Sequence, residues 1–309
     1  MKHLFGPVPS RRLGLSLGVD IVPMKTCTLS CRYCQVGKTH EPTLERREYI
    51  PVQTILEEIN ERVESGLETD WITFSGSGEP TLNSGIGKII VGIKELTDVP
   101  VCVITNGTLL SDPQVRNDLL AADAVMPSLD SAVDETFRAI CRPHPDLKAS
   151  GIIDGLIHFR AEYSGKIWLE ILLIDGMNDT QEELSALKDA VRRISPDAVQ
   201  LNTVVRPPAE LSAKPLSRER LEEIRDYFGD KTEIIAAFDK SASLQDSQGI
   251  EDVRAYLKRR PGSSDDISAA LGIALLETEK YLKLLYNNGE IKRSEFSDGQ
   301  FWEYITIKQ

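Results

Sequence analysis

At 309 residues the chain is long enough for one large α/β domain, or for a large domain with a small appendage. Its formal net charge of -12 and pI near 5.0 repel polyanions, which opposes a general nucleic-acid-binding role. No stretch approaches the roughly 20 apolar residues needed to span a bilayer, and residues 1–20 hold no signal-peptide-like run, so no membrane association and a cytoplasmic location are expected.

In chain order, Phe5 to Arg12 is interrupted by Pro7 and Pro9, which excludes regular helix and central strand and predicts an extended arm. Leu15 to Val22 is strand-like and delivers the chain to Pro23 and a cysteine-rich loop. Apolar residues at helical spacing predict helices over 51–63 and from Ile86 to Ile93, with the strand Trp71 to Phe74 between them. The alternation continues through strand Val101 to Ile104, helix 113–120, strand Ala124 to Met126, helical stretches 133–140 and 150–162, and strand Ile167 to Leu173. A helix over 180–193, a strand Val199 to Leu201 and a helix over 217–228 complete it. Six strands alternating with helices predict a parallel sheet, short of the eight strands of a complete barrel.

The polar run at 239–250 marks a boundary between domains at 1–240 and 250–309. Beyond it, helical patterns at 250–259, 264–271 and 274–288 precede two alternating segments joined at Ser297 to Gln300. Three helices and a hairpin predict a small winged helix-turn-helix domain.

Chemistry concentrates in Cys27, Cys31 and Cys34, three of the five cysteines, spaced by four and three residues. Thiolates are natural ligands of soft metals and iron-sulfur clusters. Three of them hold a four-iron cluster with one iron left open. The competing reading is a structural zinc loop, which wants a fourth ligand that His40 alone could supply. Cys102 and Cys141 read as small buried hydrophobes, with a reactive thiol as the lesser reading for Cys141. His144 reads as a loop residue, and Asp175 and Asp179 as helix caps.

Other unusual residues follow the strands, at the carboxyl ends where such sheets bind ligands. They are Ser75 to Pro80, Thr105 to Gly107, and Ser128 to Asp130. The cysteine spacing, Tyr33 before the last cysteine and the Gly-Ser-Gly-Glu-Pro turn at 76–80 resemble the radical S-adenosylmethionine superfamily over roughly residues 13–205. The resemblance implies a partial (β/α)6 TIM-like barrel and a 4Fe-4S cluster on Cys27, Cys31 and Cys34. It also implies S-adenosylmethionine on the open iron, cleaved by one electron to a 5'-deoxyadenosyl radical that removes hydrogen from substrate. Cofactor contacts then fall to Tyr33, Gly76, Ser77, Gly78, Glu79, Asn106, Ser128 and Asp130. The arm at 5–12 and the extended turn Ser75 to Leu82 further resemble the wyosine-base-formation-like branch.

The implied partners are a one-electron reductant such as a flavodoxin or ferredoxin, and a small-molecule or peptide substrate. Arg11, Arg12, Arg142 and Arg206 are candidates to grip a substrate carboxylate or phosphate. DNA and tRNA are disfavoured. Residues 250–309 carry nine basic against ten acidic residues, and Glu277 and Glu279 open the would-be recognition helix. A docking or substrate-presenting role is expected for this domain. The alternative is a regulator whose cluster senses redox state and whose winged helix binds DNA.

Overall fold

The computed structural model describes residues 3–10, 12–236, 249–273, 275–296 and 299–305. Strand β1 (Leu4–Ser10) pairs antiparallel with β2 (Gly14–Val19). From β2 the sheet runs parallel through β3 (Trp71–Phe74), β4 (Val101–Thr105), β5 (Ala124–Pro127), β6 (Lys166–Leu173), β7 (Ala198–Thr203) and β8 (Thr232–Ile234). The strands are ordered in space as in sequence. The connections carry helices α1 (Val52–Glu64), α2 (Ile86–Leu96), α3 (Pro113–Leu119), α4 (Asp134–Cys141), α5 (Ala149–Glu162), α6 (Gln181–Ile194) and α7 (Arg218–Phe228). Each expected helix of this part is present within a residue or two of its expected ends, except that α2 runs three residues past Ile93, to Leu96.

The sheet has two strands more than expected. The proline-bearing arm is β1, an edge strand that needs bonds on one side only and bulges between Phe5 and Val8. The other is β8, whose three residues are too short to show a pattern. Thr180, not Asp175 or Asp179, caps α6, its side chain accepting from the Glu183 amide.

One face of the sheet is covered by the helices through Ile55, Ile59, Phe74, Ile90, Phe159, Leu169 and Leu201, all buried. The other face curls on itself. Its floor is a separate apolar cluster of Leu13, Cys102, Ala124 and Met126 with Trp71 and Trp168. Above that floor Arg12 reaches across from the β1–β2 connection to Glu170 on β6 and Gln200 on β7. Such contacts between distant strands require strong curvature, as in an incomplete barrel.

Most of the boundary expected at 239–250 lies outside the described residues, which resume at Gly249. Beyond it are α8 (Ile250–Arg259), α9 (Ser264–Leu271), α10 (Leu275–Asn287) and an antiparallel pair, β9 (Ile291–Phe296) with β10 (Gly299–Tyr304). The connecting residues 297–298 are likewise outside the described residues. Ser263 and Asp266 form a reciprocal capping box at the start of α9. Val253, Leu257, Ile267, Leu282, Leu285 and Trp302 form a core of their own, against which Val8 of β1 packs. The C-terminal unit thus sits on the edge strand and covers it.

Candidate functional site

The loop leaving β2 is held from two sides. From one side, the Ser30 amide donates to the Cys141 carbonyl (3.0 Å), the Arg32 amide to that of Ile140 (2.9 Å), and the His144 amide to that of Thr28 (2.9 Å). From the other, the turn after β3 presses against the loop's entry: the Lys25 amide donates to the Ser77 carbonyl (2.8 Å) and the Glu79 amide to that of Thr26 (2.9 Å). This approach explains the glycines. A Cβ at Gly78 would overlap the Thr26 carbonyl, and Gly76 adopts φ +138 with Asp20 against it. Ser77 gives both its amide (3.1 Å) and hydroxyl (2.5 Å) to Asp20 Oδ2.

Glu79 is 2% exposed, and its carboxylate accepts four hydrogen bonds. Oε1 receives the Thr81 amide (3.1 Å) and hydroxyl (2.6 Å) and the Thr105 hydroxyl (2.7 Å); Oε2 receives the Asn106 amide (2.7 Å). Burial pushes its pKa up, and these donors oppose the shift. It thereby joins the ends of β3 and β4. Asn106 in turn donates to the Thr28 hydroxyl (2.8 Å) and to Cys27 Sγ (3.6 Å), while its own Oδ1 is fixed by Thr108.

Asp130, after β5, accepts from the Tyr33 hydroxyl and, at 3.7 Å, from the Cys141 thiol on one oxygen, and from the Leu172 amide (3.0 Å) on the other. Burial pushes its carboxyl up to about 6, against those bonds. Tyr33 and Asp130 are therefore brought together. Ser128 is half-buried and takes part through its backbone, its amide bonded to the Thr105 carbonyl (3.0 Å).

Cys27, Cys31 and Cys34 are each partly exposed and unpaired by disulfide. Burial pushes the thiol pKa of Cys27 and Cys34 up, so ligation releases protons. Beside them lies Lys25, at φ +66, whose Nζ is buried and has no hydrogen-bond partner. Burial lowers its pKa, and the neighbouring Cys34, Cys27 and Cys31 thiolates raise it. A buried ammonium facing three thiols calls for an anionic centre there. An iron-sulfur cluster with three thiolate ligands fits that demand.

Among the described residues no three His, Cys, Asp or Glu side chains are arranged to hold a single metal ion. A structural zinc site takes four ligands on one ion, whereas a cluster takes one thiolate per iron. His40 is exposed.

Several site residues escaped the sequence reading. Lys25 and Asp20 belong to no motif. Cys141 lies against Asp130, and its pKa is raised first by a hydrogen bond with Cys31 and then by burial, so it is more than the packing residue expected. Cys102 is the packing residue expected, its thiol pushed up to about 12 by burial. Arg142 is held bidentately by Glu210 (2.5 and 2.7 Å), which also takes Lys38 (3.0 Å), so it braces the cysteine loop. Arg11 lies outside the described residues.

The family described as the Radical SAM superfamily matches residues 21–187, more than half of the chain. A UPF0026 protein of Methanocaldococcus jannaschii is 32% identical over 315 residues, covering 100% of this chain and 97% of its own length. A UPF0026 protein of Helicobacter pylori strain J99 is 31% identical over 97% of this chain and 96% of its own. A protein named GTPase Obg from Brachyspira hyodysenteriae is 38% identical over 96% of this chain, which spans 44% of that relative.

Among solved structures, Streptococcus suis SuiB bound to S-adenosylmethionine matches with TM-score 0.55 and 15% identity, over 72% of this chain and 50% of that one. A radical SAM methyltransferase from Sphaerobacter thermophilus matches with TM-score 0.53 and 17% identity, over 83% and 69%. These likenesses are of fold. With the family match over the barrel and its cysteine loop, the chain belongs to the radical SAM superfamily, a family of enzymes whose cofactors are S-adenosylmethionine and a 4Fe-4S cluster.

Proposed function

We propose that Cys27, Cys31 and Cys34 ligate the 4Fe-4S cluster and that S-adenosylmethionine binds the open iron from the strand-end rim. The observation that carries this reading is the buried, unpartnered Lys25 ammonium beside the three thiols. When bound, the pair supplies a 5'-deoxyadenosyl radical for hydrogen abstraction from substrate.

The chain's own residues orient and shelter that chemistry. Lys25 offsets the negative charge of the thiolates and sulfides. Asn106 positions Cys27 through its 3.6 Å contact with the sulfur. Backbone groups of Gly76, Ser77 and Gly78, braced by Glu79, form the wall for the methionyl end. Tyr33, Ser128 and Asp130 form the opposite wall, with Tyr33 beside the adenine. Ser77, Glu79 and Asp130 are buried and the other rim residues partly so, which limits the access of water to the site.

Residues 1–240 act as the barrel and residues 250–309 as a winged-helix unit docked on it. Arg259 lies over the Phe5 ring at 4.8 Å, and Arg254 pairs with Glu290 and Glu251. These cations engage protein groups, which favours docking over DNA. A one-electron donor of flavodoxin or ferredoxin type supplies the reductant. The wyosine-like resemblance of the arm carries no tRNA substrate here, because the acidic chain lacks a basic footprint.

The test is anaerobic reconstitution with iron and sulfide followed by strong reductant and S-adenosylmethionine. A brown protein that forms 5'-deoxyadenosine is expected, with colour and product both lost in Cys27→Ala, Cys31→Ala and Cys34→Ala. A fully loaded protein that leaves S-adenosylmethionine intact sinks the proposal.

A further inference from the structure

Cys141 ends α4, and the left-handed Arg142 (φ +46) turns the chain alongside the cysteine loop. There Leu29 bridges Pro143 in the antiparallel sense, the Ser30 amide reaches the Arg142 carbonyl at 3.2 Å as well as that of Cys141, and the Arg32 amide bonds that of Ile140. The residues left facing each other in this register are Cys31 and Cys141. Hydrogen bonds flank the pair rather than join it. That is the position at which antiparallel neighbours stand closest, with Cα atoms about 4.5 Å apart in regular pairing, and a disulfide spans roughly 4.4–6.8 Å between Cα atoms. The hydrogen bond with Cys31 that raises the Cys141 pKa reflects the same proximity.

The contact is held from outside. Glu210 takes the Arg142 guanidinium on both carboxylate oxygens, while its own amide donates to the Arg32 carbonyl (2.9 Å). One residue thus ties together the two segments on which the cysteines lie. The two thiols differ in access, Cys31 being partly exposed and Cys141 only 2% exposed. An oxidant therefore meets Cys31 first and Cys141 second, the order of an attacking and a resolving thiol. Cys102 stands apart, in the apolar floor of the sheet.

We propose that Cys31 and Cys141 close a reversible disulfide in the cluster-free protein. With glutathione disulfide as the oxidant, the Cys31 thiolate bonds to one glutathione sulfur and expels the other as a thiolate. The Cys141 thiolate then attacks the Cys31 sulfur and expels the second. Overall the two protein thiols give up two protons and two electrons, and glutathione disulfide becomes two glutathione thiols. The bridge shields Cys31 from irreversible oxidation. It also withdraws the Cys141 thiol from Asp130 Oδ2, which keeps the Tyr33 hydroxyl. Because Cys31 is then withheld, cluster assembly waits for a thiol reductant; this last consequence rests on the ligation proposed above, whereas the disulfide itself does not.

The test treats the full, cluster-free chain with glutathione disulfide without air, blocks the remaining thiols, and maps linked peptides by mass spectrometry without reduction. A peptide joining Cys31 to Cys141 is expected as the main product, with Cys102 still free. In Cys141→Ser, Cys31 should instead keep its glutathione, because the resolving thiol is gone. The linked wild type should lose most of its capacity to take up iron and sulfide and regain it after dithiothreitol. A link from Cys31 to Cys27 or Cys34, or a wild-type Cys31 left free or still carrying glutathione, overturns the proposal; undiminished cluster uptake by the linked protein overturns the gating of assembly. Cluster uptake by protein that was never oxidised tests the ligation proposal separately, since its failure leaves the peptide map standing.

Discussion

Two buried charges a short distance apart along one rim are treated in opposite ways. In the turn after β3, Glu79 has four donors on its two oxygens and is internally complete. In the cysteine loop, the Lys25 ammonium is buried with none. A saturated buried charge holds the scaffold together, whereas an orphaned one marks where something else must bind. The contrast separates the wall of the site from the group that calls for a counter-charge.

That distinction can be broken by substitution. Glu79→Ala strands four donors in a buried place and should lower the stability of the metal-free protein by about 3 kcal/mol or more, measured by denaturant unfolding. A loss under ~1 kcal/mol would mean that the turn does not depend on it. Asn106→Ala should cost less, about 1–2 kcal/mol, and should speed cluster loss, followed as decay of the brown absorbance; unchanged retention would deny it a role at Cys27.

Lys25→Met should do the reverse of Glu79→Ala. Removing an unpaired buried charge should leave metal-free stability unchanged or raised by about 1 kcal/mol, while the reduction potential of the reconstituted cluster falls. A destabilised metal-free protein with an unshifted potential would erase the contrast.

The smallest effect is expected at Glu210, where Arg142 and Lys38 hold the carboxyl down at about 2. Because the folded pKa lies below the ordinary 4.5, its contribution is complete above pH 4.5 and is lost as pH falls toward about 2. Glu210→Gln should remove that acid-side dependence, seen as a flatter melting-temperature profile, and salt should weaken the wild-type effect because the group is near the surface.

The helices were readable in the sequence because their apolar faces recur at 3.6-residue spacing, as at Ile86, Ile89, Ile90 and Ile93, all buried. The cysteine loop was readable because its three thiols are close in sequence. β1 was hidden by its prolines, and β8 by its three-residue length. Glu79 was legible as a site residue, but its four bonds come from Thr81, Thr105 and Asn106, a pairing that only the sheet creates. Lys25 carries no pattern at all; its meaning arises from burial. Cys141 reaches Asp130 and the vicinity of Cys31 because α4 ends beside the cysteine loop, a contact over more than a hundred residues of chain that spacing does not reveal. The small cavity lined by Arg12, Arg206 and Arg260 is of the same kind, since these residues meet only after the sheet curls and the C-terminal unit docks.

In the proposed site three thiolates leave one iron open for S-adenosylmethionine. The most direct test of that ligation is the electron paramagnetic resonance spectrum of the reduced, reconstituted protein, recorded with and without that molecule. A spectrum that changes on its addition is predicted, because direct ligation alters the cluster's electronic environment. A fully reduced 4Fe-4S signal that is identical in both samples at saturating S-adenosylmethionine would contradict the account.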